Sequence, residues 1–354
     1  MHGCAHERPP AGVHRVTDTT FQAIRMSRTG GPEVLEPVRL PVPPLAPGSL
    51  RVRARAIGVG KPDVLIRQGV YRWMPPLPAI PGNELAGEVI EVGEGAGDGW
   101  RTGDRVLVSS RELAQRGGCY AAQVCVPAGA VFRLPEGVDW HDAVSLPNYQ
   151  LAGALLHESG IRRPRSILVH GAAGGVAIAL MQMAAVDGIE AIGVASETHK
   201  AQYARRWHAL PVIDRSLTPD VTHEVRALTD GRGVDLVLDH VAGPGFVHNL
   251  GMLAPLGTVL SYNILGGLPP DDLLAALRRH GSLSLGIRCY SIHTLDADPA
   301  LRRALMQRAI ELLAGQRIAP PEPTVLPLSE ASLAHELLDQ SRLLGKLVLE
   351  PDAV

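Results

Sequence analysis

The run Arg165-Ser166-Ile167-Leu168-Val169-His170-Gly171-Ala172-Ala173-Gly174-Gly175-Val176-Ala177 constrains this chain more than any other stretch. A short apolar strand ends on glycines, and VAIALMQMAAVDG follows with the length and small apolar residues of a packed helix. The same alternation continues. EAIGVAS is followed by a helix through HKAQYARRWHAL, PVID by a helix near VTHEVRALTD, VDLVLDHV by a helix near FVHNLGMLA, and GTVLSYNI closes the series. Strands alternating with helices at this spacing predict a doubly wound parallel sheet, an α/β architecture.

Residues 22–150 have another texture. QAIRM, VLEPVRLPVP, LRVRARAIGVG, AGEVIEV, DRVLVSS and AAQVCVPAGAVFRLP are short strands broken by glycine and proline, an all-β pattern with the turn density of a barrel. After residue 290, PALRRALMQRAIELLAGQ, EPTVLPL, ASLAHELLDQS and KLVLE read as material returning to this first unit. A chain of 354 residues is long enough for two domains. The expected division is a lead-in over 1–20, a β domain from 21–148 and 291–354, and a nucleotide-type domain over 149–290.

The balance of 34 basic and 36 acidic residues gives no field that would recruit nucleic acid or an anionic membrane, which favours a small-molecule substrate. Cys4, Cys119, Cys125 and Cys289 match neither a disulfide framework nor a CxxC motif and read as reduced thiols. The N-terminal segment carries histidines, arginines and prolines where a signal peptide needs an apolar run, so a cytoplasmic protein with a frayed lead-in is expected.

The glycine turn supplies what a pyrophosphate requires: a tight turn, no bulky side chain, and a helix N-terminus with free N–H groups. Gly171, Ala172, Ala173, Gly174, Gly175 and Val176 are therefore predicted to hold a dinucleotide. A second strand ends about twenty residues on, where the ribose is read. That strand ends in Ser196, with Lys200 after it and Arg215 after the third strand, so a hydroxyl and two cations converge where a 2′-phosphate would sit. Glu197 pulls towards NADH but falls one residue past the reading position, and NADPH is favoured.

Together TGGPEVLEPVRLPVPPLAPGSLRVRARAIGV, PPLPAIPGNELAGEVIEVG, TGDRV, GGCYAAQVCVPA and VHGAAGGV resemble the quinone oxidoreductase, or ζ-crystallin-like, branch of the medium-chain dehydrogenase/reductase superfamily. The resemblance runs from residue 21 to 354. It implies a GroES-like β-barrel domain, an inserted Rossmann domain, a cleft between them and a homodimer. Zinc-containing relatives carry a cysteine in the segment matching Gly58 to Asp63, and a histidine and glutamate in the segment matching Gly82-Asn83-Glu84. Here the positions hold Gly60, Asn83 and Glu84, and the lobe of four close cysteines is missing. An open zinc site needs three good ligands and one remains, so no metal is expected. Gly60, Leu65, Ala152 and Ala177 also depart from common family residues at the cofactor.

Without a Lewis acid, the feasible reaction is hydride delivery to a quinone or to an alkene already polarised by a carbonyl. An enone also needs a proton. The segment Ile66 to Tyr71, with Asn83-Glu84 downstream, is similar to the stretch that carries the tyrosine acid of enoyl-thioester reductases. Tyr71 is thus the candidate acid, or else an aromatic of the cleft wall. Trp73, Met74, Pro75 and Tyr149 are candidate walls, and Arg67, Arg72, Arg111 and Arg116 could make a basic mouth. The resemblance further implies that Tyr262 and Asn263 border the nicotinamide and that Arg342 reaches the cofactor; a dimer-edge strand and a helix cap are the alternatives. Two other functions stay open: an enoyl-thioester reductase, and a catalytically silent NADPH-binding protein of crystallin type.

Overall fold

The computed structural model of the protein describes residues 19–97, 99–161, 163–208, 210–340 and 344–352. The lead-in expected at the N-terminus lies outside them up to residue 18, and so does Arg342.

The first unit opens with β1 (Thr20–Arg25) and β2 (Glu36–Pro41), which pair antiparallel as a separate ribbon. Then come β3 (Ser49–Val59), α1 (Lys61–Gln68), β4 (Glu84–Val92), β5 (Arg105–Ser109), β6 (Gln123–Pro127), β7 (Val131–Arg133), α2 (Trp140–Ala143) and α3 (Leu146–His157). In β3 the period of two is plain, because Val52, Ala54 and Ala56 are buried while Arg53 and Arg55 face solvent. Helix α1 interrupts the stretch that reads as all-β. Its start is fixed by Asp63, whose carboxylate accepts the Gly60 N–H at 2.8 Å, and its end by Gly69 in the left-handed region at φ +76°. A proline at the second helical position and four charged or polar side chains hid this short helix among strand signals.

The second unit contains β8 (Ser166–His170), α4 (Gly175–Val186), β9 (Glu190–Ala195), α5 (Thr198–Arg205), β10 (Val212–Asp214), α6 (Val221–Leu228), β11 (Val234–Asp239), β12 (Leu253–Ser261), α7 (Leu273–Arg279) and β13 (Gly286–Cys289). Its strands lie parallel in the order β10-β9-β8-β11-β12-β13. Both faces of such a sheet are covered, so its strands read as apolar runs: Ile167, Leu168 and Val169 are fully buried. Burial contributes about 2 kcal/mol for each of these side chains. The segment FVHNLGM, expected as an α-helix, is a 3-10 helix running straight into β12.

After it, α8 (Pro299–Ala314), β14 (Thr324–Pro327), α9 (Ala331–Asp339) and β15 (Leu347–Glu350) bring the chain back. Strand β15 pairs antiparallel with β3, Leu347 opposite Val59, completing the order β14-β15-β3-β4-β5-β7, with β6 also on β3. Buried Arg302 of α8 donates to both carboxylate oxygens of Glu112, at 2.7 and 3.1 Å, and so ties α8 to the turn after β5. No helix among the described residues is long and apolar enough to cross a membrane.

Candidate active site

Ligands of a doubly wound sheet bind beyond the carboxyl ends of its strands, near the point where strand order reverses. Here that point lies between β8 and β11, and the glycine turn follows β8. Gly171 has φ +64°, and a Cβ there would lie 2.3 Å from the His240 ring, so both conformation and space require glycine. A Cβ on Gly175 would come within 2.6 Å of the Asn148 amide. Helix α4 starts at Gly175 with no side chain capping its first N–H groups, which leaves them and the positive end of the dipole to an outside anion. Ala172 and Ala173 are buried beneath the turn, while Gly174 is exposed and Val176 half-buried. The residues fit a dinucleotide pyrophosphate.

At the end of β9, the Lys200 ammonium donates to Ser196 Oγ at 3.3 Å and to Glu197 at 3.1 Å. Ser196 and Lys200 are thus together, with Glu197 competing for the same cation. Arg215 is held beside them through its backbone N–H, which donates to the Ala195 carbonyl at 2.9 Å, and its side chain is exposed.

Tyr262 follows β12 and its hydroxyl meets His240 Nδ1 at 3.3 Å, so it reaches the turn through the ring that underlies Gly171. Burial pushes the His240 imidazole below its ordinary value and the Tyr262 phenol above its own. Asn263 is exposed, and its side-chain carbonyl accepts the Ile264 N–H. His240 was missed by sequence reasoning, although a histidine ending a strand of such a sheet is itself a signal.

At the positions compared above with a zinc site, Gly60 offers its N–H to Asp63. The Asn83 amide donates to Asp63 at 2.5 Å and its carbonyl accepts the Ser110 hydroxyl. Glu84 is ion-paired with the buried Lys346. The pair crosses over Gly58, where a Cβ would strike the Glu84 carboxylate at 2.3 Å. Burial and the neighbouring Glu84 charge push the Asp63 carboxyl up to about 7. Among the described residues no group of three or more His, Cys, Asp or Glu side chains is arranged to hold a metal ion.

A cavity of about 540 Å³ opens between the turn after β5 and the segment leading into α8, lined by Trp73, Met74, Arg111, Arg116, Asp296 and Arg302 among others. Half-buried Tyr71 lies beside it, its ring 5.6 Å from that of Trp73. Burial raises the Tyr71 phenol, opposed by the charges of Arg111 and Arg116. Its hydroxyl meets His293 Nε2 at 3.1 Å, and His293 Nδ1 meets Asp296 at 2.9 Å. Two of the four expected arginines converge here: Arg116 donates to both Asp296 oxygens at 3.1 Å, and Arg111 stands 3.9 Å from the same carboxylate. Arg67 does not, being 1% exposed and paired with Asp339 at 2.7 Å. Tyr149 is no cleft wall either. It is buried on α3 and donates to Gln182, whose amide ties α4 to the Trp207 and Ala319 carbonyls.

Comparison with known proteins adds to this geometry. Residues 46–136 match the alcohol dehydrogenase GroES-like domain family, and residues 207–349 match the family described as zinc-binding dehydrogenase. The chain is 33% identical to quinone oxidoreductase from Pseudomonas aeruginosa over 336 residues, covering 93% of this chain and 99% of that protein. It is 32% identical to the mouse synaptic vesicle membrane protein VAT-1 homolog over 328 residues, 88% of this chain and 78% of that one. Among solved structures, Escherichia coli quinone oxidoreductase complexed with NADPH superposes with a TM-score of 0.79 at 28% identity, covering 93% of this chain and 100% of the other.

Proposed function

The chain belongs to the quinone oxidoreductase branch of the medium-chain dehydrogenase/reductase superfamily, and from that premise we propose that it is an NADPH-dependent, zinc-independent reductase of quinones or α,β-unsaturated carbonyl compounds. The carrying observation is one shared segment. Gly345 bridges to Gly174 of the glycine turn, its N–H donating to the Ala173 carbonyl at 3.4 Å, and the next residue, Lys346, pairs with Glu84. The nucleotide turn and the Glu84–Lys346 pair are thus one residue apart on the segment that enters β15.

NADPH bound on the turn supplies the hydride. Gly171 to Val176 hold the pyrophosphate, Ser196, Lys200 and Arg215 hold the 2′-phosphate, and Tyr262 with Asn263 borders the nicotinamide. Tyr71 gives a proton to a reduced α,β-unsaturated carbonyl acceptor. Zinc independence is supported by the donors at the relevant positions: Gly60 has none, both ends of the Asn83 amide are used, and Glu84 faces an ammonium.

Arg111 favours a second reading, an enoyl-thioester reductase, because its buried Nη1 lacks a hydrogen-bond partner at the cleft and suits an acceptor with an anionic handle. Free Cys119, Cys125 and Cys289 suit a reducing compartment, here the cytoplasm. Exposed Ile264, Leu265 and Leu268 after β12, with β13 ending the sheet on an open edge, support a homodimer.

The test is loss of dihydronicotinamide absorbance with NADPH and NADH on chelator-treated protein against a quinone, an enone and a crotonyl thioester. Turnover of a quinone or enone with NADPH is expected. Silence that added zinc restores would overturn zinc independence, and turnover of the thioester alone would select the second reading.

A further inference from the structure

Tyr71, His293 and Asp296 form a chain of hydrogen bonds that ends in ionic contacts, although the first two are 222 residues apart. The 3-10 turn Ile292–Asp296 puts Asp296 on the wall of the cavity and His293 between Asp296 and Tyr71. Trp73 stacks on the imidazole, centroids 3.2 Å apart and planes 15° apart, so the ring cannot swing away from Tyr71. Burial alone would raise the Asp296 carboxyl, but the His293 hydrogen bond and the Arg116 charge hold it below the ordinary carboxylate range. An ionised Asp296 takes the Nδ1–H, so Nε2 is the nitrogen left facing Tyr71.

Resting on the reductase reading and on Tyr71 as its acid, we propose that His293, oriented by Asp296, recharges Tyr71 with a proton and thereby suits the site to α,β-unsaturated carbonyl acceptors. A phenol has one proton to give. When His293 is neutral, that proton points at Nε2. When His293 is protonated, its Nε2–H donates to the phenol oxygen and the Tyr71 O–H turns to the acceptor. After hydride reaches the β-carbon, the Tyr71 O–H bond breaks as the enolate gains its proton. The His293 Nε2–H bond then breaks as the Tyr71 O–H re-forms, and water in the cleft returns a proton to Nε2. No electrons move in these steps. A reduced quinone leaves as a stabilised phenolate that solvent can protonate, so it depends little on the relay.

The groups facing His293 set the sign of its pH dependence. Burial lowers the imidazole, Asp296 raises it, and Arg111 and Arg116 lower it further, with Tyr71 on the remaining side and Arg302 beyond Asp296. The protonated form therefore predominates only below the ordinary value of about 6.5. Turnover of an enone should rise as pH falls through that region, while turnover of a quinone should not.

The experiment compares wild type with His293→Gln, whose amide can still donate to Tyr71 but cannot titrate, and with His293→Ala. The probes are cyclohexenone and phenanthrenequinone, each with NADPH across pH, alongside NADPH affinity by fluorescence and the His293 ring titration by NMR. We expect both variants to lose about 100-fold in cyclohexenone kcat at acid pH and to lose its pH limb. Quinone kcat and NADPH Kd should stay within about threefold of wild type. A glutamine variant that keeps the wild-type limb overturns the relay, as does an equal loss with both acceptors. Wild type that reduces the quinone but not the enone also overturns it, leaving the reductase reading intact. Wild type that reduces neither removes both.

Discussion

The nucleotide turn and the acceptor cleft are built in opposite ways. Everything the turn needs is written within six successive residues, and the chemistry is done by backbone N–H groups that a strand and a helix hold in place. The cleft is assembled from the chain after α1, the turn after β5, and α8 with the segment before it, and its chemistry resides in side chains that touch only after folding. The turn should therefore fail through shape, and the cleft through the loss of single titratable groups.

The largest expected effect tests the cleft. Tyr71→Phe should lower kcat for an enone by about 100-fold while leaving NADPH affinity unchanged, since a positioned acid is worth roughly that much. Steady-state turnover beside fluorescence titration checks it; unchanged turnover would make Tyr71 a wall residue and reduce the cleft to a shaped hole. Next comes Gly171→Val, which puts a Cβ against His240 in a left-handed conformation. Strain of that kind is worth about 1–3 kcal/mol, so the turn should relax out of its cradle shape and NADPH Kd rise about 10- to 100-fold. Affinity within error of wild type would mean the backbone there is not the binding surface.

This contrast also explains what could be read from the sequence. The Rossmann half was legible because each strand–turn–helix unit carries its own pattern, and Ser196 and Lys200, four residues apart, meet where the chain enters α5. The barrel strands were legible from alternation. Helix α1 was not, because eight residues give too little periodicity and its start depends on Asp63 reaching back to Gly60. Nothing local marked His293, Asp296 or Glu112, whose partners are more than a hundred residues away or become partners only in the folded cleft. The arginines illustrate the limit well: Arg67 and Arg111 look alike in sequence, yet one is sealed against Asp339 and the other lines the cavity.

A smaller effect is expected at the ribose end, where the turn relies on a side chain after all. Lys200→Ala should lower the preference for NADPH over NADH by about tenfold, the worth of one charge-assisted hydrogen bond to a phosphate. The ratio of kcat/KM for the two cofactors measures it. An unchanged ratio would transfer the role to Arg215 and leave Lys200 as the partner of Glu197.

The smallest effect sharpens the comparison through stability. Asp63 stands at the start of α1, where a carboxylate is normally favoured by the helix dipole, and it accepts hydrogen bonds from Gly60 and Asn83. Burial and Glu84 nevertheless push its carboxyl up to about 7, well above the roughly 3.9 of an unfolded aspartate. A folded-state value raised in this way means the folded protein binds a proton that the unfolded chain has released. Stability from this group is full below about pH 4 and is lost as pH rises towards 7. Asp63→Asn removes that term. Between pH 5.5 and 8 the wild-type Tm should fall by about 2 °C more than that of the variant. Taking the difference cancels the histidines that both proteins share, and it cancels the fixed cost of replacing one acceptor oxygen. Parallel curves would mean that Asp63 is ionised throughout, with the Lys346 ammonium rather than the Glu84 carboxylate governing the field around it.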